Sequence, residues 1–197
     1  MEIAFLTSND TKVSVGNEHL SKYNIMLRKV PFEFKEVQLI SVNEVARDKI
    51  MHAIPKMNCS FIVEDTGFYA KALNGFPGVL FKYVFDTLGH ERFLKLMENE
   101  SDRRASVFGV VIYYDKISNT IKEFEGDIKG KITHSVRGHT KNGILSGRIF
   151  IPDNYDKTFA EMDQNEWNKF MCDIALNGES DFENFGKWIA AGHVLGK

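Results

Sequence analysis

The segment Phe61-Ile62-Val63-Glu64-Asp65-Thr66-Gly67 decides the fold of this chain. Three apolar residues run into two adjacent carboxylates and then into a Thr-Gly pair that is typical of a turn. A short apolar run bounded by a turn signal indicates a buried strand. Two acids at the carboxyl end of such a strand are expected at the rim of an open α/β sheet, where these folds bind ligands. Because adjacent carboxylates repel each other, the pair requires a metal ion or a cationic partner nearby.

The composition limits the classes of protein to which the chain can belong. Its 197 residues are 43% hydrophobic and 26% charged, which predicts one domain with a sizeable core. The 25 basic residues nearly balance the 27 acidic ones, unlike a protein that binds nucleic acid or a membrane surface. Cys59 and Cys172 do not make a disulfide scaffold or a zinc cluster. The sequence shows no signal-peptide pattern and no apolar run of membrane-spanning length. We therefore expect a cytoplasmic protein that binds neither nucleic acid nor a membrane.

The N-terminal segment predicts a strand, a polar turn and a helix. Ile3–Leu6 is apolar, Thr7–Asp10 is rich in helix-capping residues, and a helix is expected from there to about Arg28. The start of a helix offers backbone N–H groups and a positive dipole end that suit a phosphate, and Lys12 can reach the same anion. The alternative is that Asn9 is only a cap and Lys12 only a solvated side chain.

The next segment adds a carboxylate and a second lysine. Residues Phe32–Val37 alternate between apolar and polar, which predicts a half-buried strand with Glu36 near its end. Ser41–Glu44 has the form of a capping box and opens a helix on which Lys49 borders the apolar side. The alternatives are an ordinary surface carboxylate for Glu36 and a snorkelling lysine for Lys49.

The remainder of the chain reads as further strands and helices joined by glycine-containing turns. In chain order they are a turn at Ala72–Gly78, helical pieces at Val79–Leu88 and Glu91–Glu98, strands at Ala105–Tyr114, Thr120–Gly126, Lys129–Thr133 and Arg148–Ile151, a loop at Gly138–Gly147, a helix with a core stripe of Trp167, Phe170, Met171 and Ile174, a C-cap at Asn177-Gly178, and a last helix with Phe182 and Phe185.

Three predicted strands thus end in polar residues that suit one site: Thr7–Asn9, Glu36 and the pair Glu64-Asp65. Carboxylates without a His or Cys cluster favour a hard cation such as Mg²⁺, whereas Asn9 and Lys12 favour an anion. A hard cation beside a polyanion site indicates a phosphate ester or anhydride as ligand. The sequence has no P-loop, no G-x-G-x-x-G turn and no G-x-S-x-G elbow, which argues against the enzyme classes that these motifs mark. The carboxylates and the anion-binding residues together predict a metal-dependent phosphate-processing site.

Four segments resemble those of the inosine/xanthosine triphosphate pyrophosphatases, which remove non-standard purine nucleotides. The resemblance covers the chain from about Ile3 to Ala175 and is most specific in the acidic strand end and the turn that follows it. The segments are Thr7-Ser8-Asn9-Asp10-Thr11-Lys12, Glu36-Val37-Gln38, Val63–Gly67 with Ala72–Gly78, and Thr158-Phe159-Ala160-Glu161-Met162.

This resemblance implies an α/β fold in which helices flank an elongated mixed β-sheet, with two lobes around a central cleft, in a single domain over residues 1–197. It implies a homodimer that uses Mg²⁺ to hydrolyse a nucleoside triphosphate to the monophosphate and pyrophosphate. Glu36 and Asp65 would hold the metal with Glu64 assisting, and Asp65 would orient or deprotonate the attacking water. The residues implied to bind the substrate are Thr7, Ser8, Asn9, Lys12, Lys49, Thr66 and Lys82.

The base-recognition half of the family pattern differs in this chain. Where the family has G-F-G-Y-D-P-x-F, the stacking aromatic is replaced by Ile144 and the acidic position by Gly147. Where the family has K-N-x-x-S-H-R, the segment Trp167–Asp173 retains only Asn168. A hydrogen-bond acceptor at Asp173 would favour a base with an exocyclic amino group.

Two hypotheses of different classes follow. The first is a Mg²⁺-dependent nucleoside triphosphate pyrophosphatase with altered base preference, supported by the acidic pair and the lysines. The second is a nucleotide-binding protein of the same fold with little or no turnover, supported by the lost base motif.

Overall fold

The computed structural model describes residues 1–35, 37–139 and 144–193. Within these residues strands and helices follow one another in the order of an α/β protein. The strands are β1 (Glu2–Leu6), β2 (Met26–Val30), β3 (Phe61–Ala70), β4 (Pro77–Gly78), β5 (Arg104–Asp115), β6 (Thr120–Ile132) and β7 (Phe150–Pro152), and the α-helices are α1 (Asp10–Leu20), α2 (Val42–Ala53), α3 (Phe81–Leu96), α4 (Gln164–Asn177) and α5 (Asp181–Trp188).

The strands form one mixed sheet in the order β2-β1-β3-β5-β6-β7, with β4 paired to β3. β1 pairs in parallel with both β2 and β3, whereas β4 and β7 pair antiparallel with β3 and β6. The predicted α/β fold with a mixed sheet flanked by helices is therefore confirmed. The single domain with two lobes stays a prediction.

Strand β3 carries the acidic pair in its middle, so the turn predicted at Thr66-Gly67 is wrong. The first half of β3 pairs with β1 in the register Phe5↔Ile62, and the second half continues to Ala70 because it pairs with β4. Since β1 ends at Leu6, the pair Glu64-Asp65 lies just beyond the last residue of its neighbour. The acids are thus at the end of β1, although they are not at the end of their own strand.

Two predicted elements near the N-terminus are also wrong. The first helix was expected to reach about Arg28 but ends at Leu20, because Asn24 takes a left-handed conformation (φ 55°) and the chain then enters β2. The strand predicted at Phe32–Val37 is absent from the described residues 32–35 and 37. β2 occupies the preceding residues instead, since it pairs with β1 along its full length and buries Leu27.

Other predicted elements are confirmed with shifted ends. Helix α2 begins after Ser41 as expected, but the Ser41 side chain makes no capping hydrogen bond. The two predicted helical pieces both lie within α3, which is interrupted at Gly89 by a non-helical conformation (φ 72°). The two strands predicted around Gly126 are one continuous strand, β6. The predicted glycine C-cap after α4 is confirmed at Gly178 (φ 71°).

The chain divides into two compact units. Unit 1 comprises Met1–Asp65, Gly109–Gly126 and the segment from Gly178 onward, and unit 2 comprises Thr66–Phe108 and Asp127–Asn177. Each unit has a buried apolar core of its own. The core of unit 1 contains Ile3, Phe5, Leu20, Ile25, Leu27, Ile62, Val111, Tyr113, Phe182, Phe185 and Ile189.

The core of unit 2 includes the stripe of α4 that the sequence predicts. Phe170, Met171 and Ile174 are buried there with Trp167, whereas Cys172 is exposed. The predicted turn at Ala72–Gly78 also forms, with positive φ angles at its two glycines. No helix in the described part of the chain is both long enough and apolar enough to cross a bilayer.

Candidate functional site

The turn between β1 and α1 is organised by the side chain of Asn9. Asn9 Oδ1 accepts hydrogen bonds from the backbone N–H groups of Thr11 (2.9 Å) and Lys12 (3.4 Å), and Thr7 Oγ1 accepts from the N–H of Asn9 (3.1 Å). Asn9 is therefore a true N-cap. Because the cap already satisfies two N–H groups of the first turn, an anion here would depend chiefly on side-chain cations. Ser8 is exposed on the same turn.

Two lysines hold the acidic pair of β3. Lys12 Nζ lies 2.6 Å from Oε2 of Glu64 and 3.8 Å from Oδ1 of Asp65, and Lys49 Nζ lies 3.0 Å from the same Oδ1. The side chain of Glu64 is only 3% exposed and that of Asp65 is 15% exposed. The repulsion expected between the adjacent carboxylates is thus offset by positive charges that arrive from α1 and α2.

The electrostatics of Lys12 show how strongly the pair acts on it. Burial favours the neutral amine, but the charges of Glu64 and Asp65 outweigh burial and raise the pKa of Lys12 above its usual value of 10.5. Lys12 therefore remains an ammonium ion throughout the neutral range.

Lys49 has an aromatic neighbour as well as a carboxylate. Its Nζ lies 5.9 Å from the centroid of the Phe34 ring, in the range of a cation–π contact. The Phe34 ring in turn packs 4.7 Å from that of Phe32. The segment before Glu36 is thus attached to α2, while Glu36 itself lies outside the described residues.

The charge of Asp181 acts on this site, which sequence reasoning missed. Asp181 is the first residue of α5, and its charge acts on both Lys12 and Glu64. Burial, and after it the negative charge of Glu64, raise the pKa of the Asp181 carboxyl to about 7. The only local signal was Ser180-Asp181 at the start of a helix, a pattern that predicts a cap and nothing more.

Two predicted substrate-binding residues belong to the other compact unit of the chain. Thr66 and Lys82 belong to unit 2, and Lys82 is exposed on α3, where its Nζ lies 2.6 Å from Oδ2 of Asp86. Their contacts with substrate stay predictions. Among the residues that the structure describes, no set of three or more His, Cys, Asp or Glu side chains is arranged as a metal site. Glu36, the second predicted metal ligand, is not among them.

In the segment that replaces the family's second base-recognition motif, Asp173 is bound by two other side chains. Asp173 Oδ2 accepts hydrogen bonds from the hydroxyl of Tyr155 (2.6 Å) and from Nζ of Lys169 (2.8 Å). The hydrogen bond from Lys169, and after it the one from Tyr155, lower the pKa of the Asp173 carboxyl. Ile144 is half-buried against the core of unit 2. The preceding residues 140–143 of the predicted loop lie outside the described residues.

Arranged in this way, the described residues offer carboxylate oxygens and ammonium groups side by side. The oxygen donors of Glu64 and Asp65 suit a hard divalent cation, and they already accommodate positive charge from the two lysines. The lysines suit phosphate oxygens. The arrangement therefore combines both halves of a site for a metal-bound polyphosphate.

Comparisons with known proteins agree with this chemistry. The model of the Ham1 family matches residues 3–172. A dITP/XTP pyrophosphatase of Methanopyrus kandleri is 35% identical over 188 residues, which cover 95% of this chain and 96% of that protein. A dITP/XTP pyrophosphatase of Pyrococcus horikoshii is 37% identical over 168 residues, which cover 85% of this chain and 88% of that one.

Solved structures of the same kind share the fold. The Ham1 protein of Staphylococcus aureus superposes with a TM-score of 0.73 at 22% identity, covering 98% of this chain and 97% of that one. A HAM1 protein of Coxiella burnetii gives a TM-score of 0.73 at 23% identity, covering 98% of both chains. The resemblance to the inosine/xanthosine triphosphate pyrophosphatases is confirmed, and this chain belongs to the Ham1 family.

Proposed function

We propose that this chain is a nucleoside triphosphate pyrophosphatase, which converts a nucleoside triphosphate and water to the monophosphate and pyrophosphate. The observation that carries the proposal is the cluster of ion pairs in which Lys12 contacts both acids of the pair and Lys49 contacts Asp65. The names of the relatives, dITP/XTP pyrophosphatase, support non-standard purine nucleotides as the substrates.

The reaction uses the acids and the lysines of the site in different roles. A nucleotide entering the site exchanges partners with the ion pairs: its phosphate oxygens take the ammonium groups of Lys12 and Lys49, which frees the carboxylates. Asp65 then orients the attacking water and accepts its proton, while Glu64 would assist in holding a bound divalent cation. The lysines offset the charge that develops on the leaving pyrophosphate.

A divalent cation fits the donor set of this site. Glu64 and Asp65 present oxygen donors without sulfur or imidazole, which is the preference of Mg²⁺. Asp65, with Glu36 as the second ligand, would hold Mg²⁺, which when bound neutralises phosphate charge and lowers the pKa of a bound water.

Base choice is expected to follow from unit 2. Because Asp173 Oδ2 is already bound by Tyr155 and Lys169, Asp173 has less capacity to accept a hydrogen bond from a base. We therefore propose dITP and XTP as the first substrates to compare, with the standard nucleotides as competitors.

Two further properties belong to the proposal. A homodimer is supported by the exposure of Leu80 (57%) and Tyr83 (70%) at the start of α3, since large apolar side chains are commonly covered in an interface. A cytoplasmic setting is supported by Cys59 and Cys172, which are both exposed free thiols.

The test is a panel of ribo- and deoxynucleoside triphosphates incubated with Mg²⁺, with release of pyrophosphate as the measurement. Asp65→Asn should abolish release, and Asp102→Asn, which alters an exposed ion pair with Arg104, should leave release unchanged. Thermal protection by nucleotides without release of pyrophosphate would establish the binding protein instead. Release of orthophosphate would mean that a different bond is attacked.

A further inference from the structure

The ammonium group of Lys49 has two contacts of different kinds. Its Nζ lies 3.0 Å from Oδ1 of Asp65 and 5.9 Å from the centroid of the Phe34 ring. Lys12, the other lysine of the site, instead lies near two carboxylates, those of Glu64 (2.6 Å) and Asp65 (3.8 Å). The two lysines are therefore held in different ways, one by two anions and the other by an anion and a ring.

The Phe34 ring is itself held by other side chains. Its centroid lies 4.7 Å from that of the Phe32 ring and 6.5 Å from that of the His52 imidazole on α2. The Phe32 ring contacts the same imidazole edge to face at 6.1 Å. Lys56 Nζ lies 2.7 Å from Nε2 of His52 and 5.4 Å from the centroid of the Phe32 ring. The ring of Phe34 thus belongs to a packed cluster of two phenyl rings, an imidazole and a further ammonium group.

Helix α2 provides both the lysine and the anchor of the ring. His52 follows Lys49 by three residues, which places the two side chains on the same face of the helix, one turn apart. A ring that packs against His52 is therefore brought next to the ammonium group of Lys49. Because Phe34 is half-buried, the contact is partly shielded from water, which strengthens a cation–π interaction.

An aromatic ring holds an ammonium group without carrying a net charge. The carboxylate of Asp65 competes with a phosphate oxygen for the cation of Lys49, because both are anions. The face of a phenyl ring attracts the same cation through its quadrupole, and this contact can persist when the carboxylate is exchanged for phosphate. A lysine that is fixed before the ligand arrives also loses less side-chain freedom on binding.

We propose that Phe34 is a positioning residue for Lys49, holding its ammonium group in place while a phosphate oxygen of the ligand replaces Asp65 as its partner. The inference rests on the proposed function, because it concerns a lysine that this function assigns to phosphate binding. Since Phe34 acts through Lys49, its effect on the ligand should exist only while the lysine is present.

Phe34→Leu removes the ring and keeps an apolar side chain, whereas Phe34→Tyr keeps the ring. Binding of inorganic pyrophosphate in the presence of Mg²⁺ is measured by titration calorimetry. Phe34→Leu should bind pyrophosphate about fivefold more weakly than the wild type, the order expected when one long side chain has to be immobilised on binding. Phe34→Tyr should stay within about twofold of the wild type, because it retains the face of the ring.

Lys49→Met shows whether Phe34 acts through the lysine. In the Lys49→Met background, Phe34→Leu should cause no further loss of affinity, because the ring then has no cation to position. The matched control is Lys56→Met, which removes the ammonium group next to the Phe32 ring and should leave pyrophosphate binding within about twofold. The inference is overturned by a loss that persists in the Lys49→Met background, or by a change of less than about twofold in Phe34→Leu that is folded by thermal denaturation.

The lysine variants separate failure of this inference from failure of the proposed function. If Lys49→Met binds pyrophosphate more weakly than the wild type but Phe34→Leu does not, only the role of Phe34 is wrong. If Lys12→Met and Lys49→Met both bind pyrophosphate as tightly as the wild type, the phosphate pocket is misplaced and both conclusions fall.

Discussion

Replacing Lys12 by methionine should destabilise the protein by removing the charge that holds the acidic pair. Lys12 Nζ lies 2.6 Å from Oε2 of Glu64, whose side chain is 3% exposed, and 3.8 Å from Oδ1 of Asp65. Methionine keeps the apolar stem of the side chain but supplies no cation. Removal of one partner of a buried ion pair costs about 3–5 kcal/mol, since the other charge stays buried without compensation.

The lower end of that range applies to this site. The side chain of Lys12 is 24% exposed, and Lys49 remains 3.0 Å from Asp65 after the substitution. We therefore expect the free energy of unfolding to fall by about 3 kcal/mol. For a chain of this length that corresponds to a decrease in Tm of roughly 6–12 °C.

Urea denaturation of Lys12→Met, Glu64→Gln and the double variant measures the coupling directly. Because the double variant leaves neither charge unpaired, it should lose about 1–3 kcal/mol less than the sum of the single losses. Lys29→Met is the control, since its ion pair with Asp10 is exposed and should be worth no more than about 1 kcal/mol. Additive losses in the double variant, or equal losses in Lys12→Met and Lys29→Met, would refute the reasoning.

Further predictions concern the other members of the site. Lys49→Met should raise the KM for a nucleoside triphosphate about tenfold, corresponding to 1.4 kcal/mol of lost phosphate binding, in steady-state assays of pyrophosphate release. The pKa of Asp181 rises from 3.8 to about 7 on folding, so the folded state retains a proton that the unfolded state has lost, and stability falls as pH rises through this window. Asp181→Asn should remove this fall, which is at most about 3 kcal/mol between about pH 5 and pH 8, in urea titrations at these two pH values. Gly109→Ala should lower the free energy of unfolding by about 1–3 kcal/mol in the same titrations, because its Cβ would lie 2.6 Å from Asp181. Asp173→Asn should leave the ratio of XTP to GTP hydrolysis unchanged, because Asp173 Oδ2 is already bound by Tyr155 and Lys169, and a changed ratio would establish a role of Asp173 in base choice.

Elements with strong local signals were predictable. The apolar stripe of α4 lies at helical spacing and is buried as expected, and β5 is a run of β-branched and aromatic residues that forms a strand. The pairing of Lys12 with the acidic pair was also within reach, because a parallel β-α-β connection brings the start of α1 next to β3.

The errors arose where pairing with distant residues outweighed the local pattern. Thr66-Gly67 has the composition of a turn, but β3 continues through it because its second half pairs with β4. Leu27 fits a helical period, yet it lies in β2 because that strand completes the hydrogen bonds of β1. A single-sequence pattern contains no information on which partner a strand will find.

The amino-acid sequence by itself determined the order of the elements and the types of group at the site, because local periodicity and residue chemistry express these directly. Tertiary structure alone decided that Glu64 and Asp65 lie in mid-strand beyond the end of β1, and that the charge of Asp181, from the far end of the chain, acts on Glu64. The physical reason is steric: Asp181 packs against the sheet where Gly109 and Gly126 leave space for it. That space exists only once β5 and β6 are formed and α5 has packed against them.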